Sequence, residues 1–147
     1  MLYQRDSSED ELFFGTKVKD EPFIASPHKA FWISKGQKHL KCIQYSFGPN
    51  GTMQDYLIKS GKLSLPIVKL YTKQLITAIL ATHAAGVSHR DLKLDNIVLD
   101  ANFNLKVIDF GAACSINGSD GSGWFMNGEV AGTESYMSPE MLLNMPY

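Results

Sequence analysis

A chain of 147 residues, 44% apolar and 20% charged, with a formal net charge of −1, has the make-up of one ordinary globular domain and excludes a disordered or fibrous polymer. Near-neutral charge gives no general attraction to nucleic acid or to an anionic membrane. No apolar run approaches the roughly 18 residues of a membrane span, and a start carrying Asp6, Glu9, Asp10 and Glu11 is unlike a basic-then-apolar signal peptide, so a soluble protein without membrane insertion is expected.

In chain order, residues 1–24 mix charge with Phe13, Phe14 and Phe23 without a sustained period, and no element is assigned there. From Ala30 to Phe47, "AFWIS" and "LKCIQYSF" flank "KGQK"; β-branched and aromatic residues on both sides predict an antiparallel hairpin. Gly48 to Gly51 form a turn cluster, and "TMQDYLIKS" predicts a short helix ended by Gly61. The clearest helix starts near Ser64 with Pro66 in its first turn, where a missing donor costs little. Ile67, Leu70, Tyr71, Leu75, Ala78 and Ile79 fall at the spacing of one helical face and are expected in the core, with Gly86 as the stop. His83 reads as a polar group at the helix end rather than a ligand. Next, "NIVLD" and "NLKVIDF" predict a second hairpin around "DANFN". Residues 115–132 hold five glycines and read as a long functional loop or a disordered one. Two cysteines, Cys42 and Cys114, fit no metal spacing and argue against a disulfide framework, which points to a reducing intracellular compartment, the cytoplasm.

The chemistry concentrates in "HRDLKLDN", residues 89–96. Alone, a charge-rich octet is most often a solvated turn. Here it is followed by "DFG" (Asp109 to Gly111) at the end of a predicted strand, and by "GTESYMSPE" (Gly132 to Glu140), and three ordered signals make coincidence improbable. The set resembles the eukaryotic protein kinases of serine/threonine type, which carry H-R-D-x-K-x-x-N, D-F-G and A-P-E. The resemblance implies an α+β, kinase-like two-lobe fold in incomplete form: the last strands of the small lobe, the hinge and the first half of the helical large lobe.

It implies roles as well. Asp91 falls at the catalytic base and Lys93 at the lysine that contacts the transferred phosphate; Asn96 and Asp109 fall at the two magnesium-holding positions, Asp109 also serving the bound ATP. Val98 falls beneath the adenine, Ser46 and Gly48 at the hinge groups that meet its edge, and Tyr45 at the gatekeeper position. Thr133 falls at the residue that bridges toward Asp91 and Lys93, while Tyr136 and Pro139 fall on the floor for a substrate peptide. Ser138 replaces the usual alanine of A-P-E. The expected partner is a protein with a Ser or Thr acceptor; oligomeric state is left open.

Departures from the pattern carry expectations of their own. Glu129 stands where many kinases are phosphorylated, and is read either as a solvated loop glutamate or as a fixed charge that faces Arg90, more weakly than a phosphate would. A glycine-rich loop and a third-strand lysine are not found. Counting back from the hairpin puts Lys17 near the position of the family's helix glutamate, with Glu11 and Glu21 nearby, so no ion pair is assigned. Glu140 is expected to be partly buried without its arginine partner. Residues 31–147 are therefore expected to be a partial kinase domain, truncated at the C-terminus, with 1–30 an unassigned remnant of the small lobe or a disordered segment, and with little activity alone. The alternatives are a pseudokinase-like binding module and a small-molecule phosphotransferase.

Overall fold

The computed structural model describes residues 7–36, 38–116, 131–143 and 145. Helix α1 (Ser7–Lys17) forms where the sequence offers no sustained period. Its helical signals are electrostatic: Glu9 and Asp10 lie in the first turn and Lys17 in the last, each favourable to the helix dipole. It buries Phe14 but leaves Phe13 half exposed, beneath the Lys17 ammonium at 4.8 Å from the ring centre. The chain then runs extended past Ile24, which bridges to Val107 in parallel.

Strands β1 (Lys29–Lys35) and β2 (Lys38–Gln44) form the expected antiparallel hairpin, with Phe31 opposite Cys42 and Ile33 opposite Leu40. Pairing ends at Gln44, so Tyr45 to Phe47 lie beyond the strand. Helix α2 (Met53–Ser60) is opened by a capping box, in which Thr52 Oγ1 accepts from the Asp55 amide and Asp55 accepts in return from the Thr52 amide.

Helix α3 (Leu65–Ala84) begins after Ser64 with Pro66 in its first turn, and the chain leaves it through Gly86 at φ +71°. The buried face differs from the expected stripe. Tyr71, Gln74, Ala78 and Thr82 are buried, whereas Leu70 is 51% exposed. Gln74 explains the rotation: its Oε1 accepts from the Leu105 amide at 2.8 Å and its Nε2 donates to Asn104 Oδ1 at 3.1 Å. A buried amide left without that acceptor would cost about 1–3 kcal/mol, so the polar side chain faces inward and Leu70 is displaced outward. Thr82 is similarly satisfied by the Ala78 carbonyl.

Two small antiparallel ladders follow. β3 (Val87–Ser88) pairs with β6 (Cys114–Ser115), and β4 (Ile97–Leu99) pairs with β5 (Leu105–Val107) as the second predicted hairpin. Its turn is closed by Asp100 Oδ1, which accepts from the amides of Asn102 and Asn104. Helix α4 (Pro139–Leu142) is the last element among the described residues. One core cluster joins Phe14 and Val18 to Leu99, Leu105, Val107 and Phe110. The architecture is mixed α+β, and no helix among the described residues is long and apolar enough to cross a membrane.

Candidate active site

The loop between β3 and β4 is held from beneath. His89 is 5% exposed; its Nε2–H donates to the Ile108 carbonyl at 3.0 Å, and Nδ1 accepts from the Asp91 amide at 3.3 Å. These two bonds need the neutral ring. Burial pushes the His89 imidazole below its ordinary value, against the smaller opposing effects of that hydrogen bond and of Asp109 and Asp91. The unfolded chain therefore takes up a proton near pH 6.5 that the folded chain refuses. Stability is full above that pH and falls on acidification. The expected slope from this group is at most about 1.4 kcal/mol per pH unit, read as a fall in thermal midpoint from pH 7 to 5 that is shallower in His89→Gln; parallel curves would remove His89 as the cause.

Two residues of the site take left-handed backbone conformations that disfavour side chains, Arg90 at φ +62° and Asp109 at φ +66°. Such strain costs about 1–3 kcal/mol per residue. At Arg90 it is countered by Nε donating to the Ala112 carbonyl at 2.8 Å; at Asp109, by Oδ1 accepting from the Gly111 amide at 3.2 Å. Phe110, the residue after Asp109, is fully buried and packs against the His89 ring at 4.8 Å.

Asp91, Lys93 and Thr133 form a closed triangle. Lys93 Nζ donates to Asp91 Oδ2 at 2.8 Å and to Thr133 Oγ1 at 2.6 Å, and Thr133 Oγ1 donates to Asp91 Oδ1 at 2.7 Å. Asn96 completes it, its Nδ2 donating to the Asp91 carbonyl and to Oδ2 at 2.9 and 3.0 Å. Burial pushes the Asp91 carboxyl up, but the bonds from Lys93 and Thr133 and the Lys93 charge outweigh it and hold it below its usual range. The hydrogen bond to Asp91 holds the Lys93 ammonium above its own. Both groups are therefore charged at neutral pH.

Thr133 reaches Asp91 because of its neighbour. Gly132, at φ +117°, passes so close to the loop between β3 and β4 that an added Cβ would lie 2.5 Å from the Arg90 carbonyl oxygen. Only glycine satisfies both the dihedral and the approach.

Ser46, Gly48 and Val98 line one cavity of about 410 Å³, with Phe47, Ala25 and Lys106 among the other walls. A Cβ on Gly48 would meet the Val98 side chain at 3.1 Å. The segment is fastened to β4 by the Leu99 amide donating to the Gly51 carbonyl at 2.9 Å, and Ser46 Oγ is hydrogen-bonded to His28 Nε2 at 2.6 Å. Ile108 donates to the Asn96 carbonyl at 3.0 Å, so the chain immediately before Asp109 is tied to the end of the loop that carries Asn96.

Asn96 and Asp109 offer an amide oxygen and an exposed carboxylate, the hard oxygen donors that suit magnesium. Among the described residues no group of three His, Cys, Asp or Glu side chains could hold a metal by itself, so these donors fit an ion that keeps water and phosphate oxygens in its shell.

Some expectations change. On α1, Lys17 sits over the Phe13 ring and Glu11 accepts from the Tyr45 hydroxyl at 2.5 Å, a contact not assigned from the sequence. Glu140 is exposed, so its carboxylate carries no burial penalty. Glu129 lies outside the described residues.

The chain resembles known proteins throughout. It is 30% identical to 3-phosphoinositide-dependent protein kinase B of Dictyostelium discoideum across 91% of its length, which is 17% of that relative. It is 39% identical to CBL-interacting protein kinase 30 of Oryza sativa subsp. japonica over 71% of its length and 21% of the relative. Against CBL-interacting serine/threonine-protein kinase 26 of Arabidopsis thaliana it is 38% identical over 71%, or 24% of the relative. The chain thus spans about a fifth of the length of these relatives. The family model of the protein kinase domain matches residues 16–147, and with nine-tenths of its length so matched the chain belongs to the protein kinase domain family.

Proposed function

We propose that these residues transfer the γ-phosphate of ATP to serine or threonine hydroxyls of a protein, with magnesium as the metal. The observation that carries this reading is the Asp91–Lys93–Thr133 triangle. An ionised Asp91 accepts a hydrogen bond from an incoming hydroxyl and aligns its oxygen. Because phosphoryl transfer has a loose transition state in most analyses, a weak base suffices and alignment matters more than proton abstraction. Lys93 supplies positive charge beside the transferred group, in a position fixed by two acceptors. Magnesium, held by Asn96 and Asp109, would neutralise phosphate charge when bound. Ser46, Gly48 and Val98 are assigned to the adenine, on the strength of the one cavity they share.

Serine/threonine preference is supported by Lys93, two residues after Asp91, and by the name of one relative. Residues 31–147 are assigned to the last strands of the small lobe, the hinge and the first half of the helical lobe, and a reducing intracellular setting suits two cysteines that form no disulfide. ATP with magnesium at a hundredfold over its dissociation constant is expected to add about 2.7 kcal/mol of apparent stability, and γ-labelled ATP to mark Ser or Thr of a protein acceptor. A midpoint indifferent to nucleotide would favour a binding module instead, and label passing only to small molecules would favour the other phosphotransferase reading.

A further inference from the structure

Glu11 of α1 and Tyr45, the residue just after β2, are 34 positions apart in sequence, yet the phenol donates to Glu11 Oε1 at 2.5 Å with both side chains partly buried. A second link runs parallel to it, from Lys41 of β2 to Glu9 at 3.8 Å. The same stretch of chain places Phe14 and Val18 in the core cluster that also contains Phe110, the residue next to Asp109. Burial pushes the Glu11 carboxyl up, the Tyr45 hydrogen bond opposes that rise, and the Asp109 charge adds a smaller repulsion.

We propose that the Tyr45–Glu11 hydrogen bond is a strut that holds α1 against the end of β2 and, through the shared core with Phe110, sets the position of Asp109. Glu11 and Tyr45 are then positioning residues of the nucleotide and metal side of the site, a role that rests on the reading of Asp109 given above. The bond is suited to this. It joins a neutral donor to a carboxylate, which makes it stronger than a neutral pair, and partial burial limits competition from water. Burial pushes the phenol far above its ordinary range, with Glu11 adding to the rise, so Tyr45 remains a donor. The Glu9–Lys41 pair cannot substitute, because Glu9 is mostly exposed and such pairs contribute little.

The test uses the full chain and a non-hydrolysable ATP analogue, with its affinity measured with and without magnesium, beside amide exchange across Ser7–Lys17. Tyr45→Phe is expected to weaken magnesium-dependent binding about tenfold, to leave metal-free binding within about twofold, and to speed exchange in α1. Glu11→Ala should do the same. Glu11→Gln, which keeps an acceptor oxygen, should recover most of what Glu11→Ala loses. Lys41→Ala, which breaks only the exposed pair, should match the parent. Parent-like metal dependence and exchange in Tyr45→Phe would overturn the strut, as would Glu11→Gln losing as much as Glu11→Ala. Absence of nucleotide binding in the parent would instead remove the nucleotide reading, and the exchange comparison would then decide whether the strut exists.

Discussion

Asp91→Asn is expected to lower phosphate transfer to a protein acceptor about 10²- to 10⁴-fold, the usual contribution of a positioned acid–base group. The substitution keeps the side chain's size and one acceptor oxygen. It removes the charge that Lys93 Nζ meets at 2.8 Å, and the new amide nitrogen must face either the Oδ2 side, where Lys93 and Asn96 both donate, or the Oδ1 side, where Thr133 donates. Asp91 has an 11% exposed side chain and Lys93 a 20% exposed one, so water cannot easily take over the lost contacts. Nucleotide affinity should change far less than the rate, because Asp91 faces the acceptor side. Transfer within tenfold of the parent, or a loss confined to nucleotide affinity, would exclude Asp91 as the group that aligns the hydroxyl.

The second large effect belongs to a residue with no side chain. Gly132→Ala places a methyl 2.5 Å from the Arg90 carbonyl oxygen at a φ of +117°, and backbone on both sides leaves no flexible end to yield. The segment must move away, taking Thr133 from Asp91 and Lys93. A displacement near 1 Å at such a site costs about 10² in rate. Thermal stability should fall little, since Gly132 is exposed and outside the core. Thr133→Ala is the companion: it deletes the hydroxyl while leaving the backbone in place and should lose less. Equal losses in the two variants would mean that the close crossing matters only as a support for the hydroxyl, and a parent-like Gly132→Ala would sink the crossing argument altogether.

The parts of the site legible in the sequence are those whose chemistry is contiguous. Asp91, Lys93 and Asn96 fall within six positions, and their convergence follows from the short turn they share. Both hairpins were legible because alternation and turn residues are local. The face of α3 was not. Its sequence is apolar on more than one side, and the choice between faces was made by Gln74, whose partners Asn104 and Leu105 lie about 30 positions away. Helix α1 was hidden for a similar reason. Phe13 and Phe14 are adjacent, so only one can face the core, and the feature that gives Glu11 a role is a phenol 34 residues downstream. No window of sequence contains that pair.

The positive φ values of Arg90 and Asp109 set stability and chemistry in opposition. Glycine at either place would relax the backbone at no steric cost, so selection for a tougher fold alone would drift toward it. Under the proposed function, the need for a guanidinium and a carboxylate at those points resists the drift. A library screened for heat resistance should therefore accumulate its gains where function is lost, and retention of charged side chains at these two strained positions becomes a record of which pressure has governed the chain.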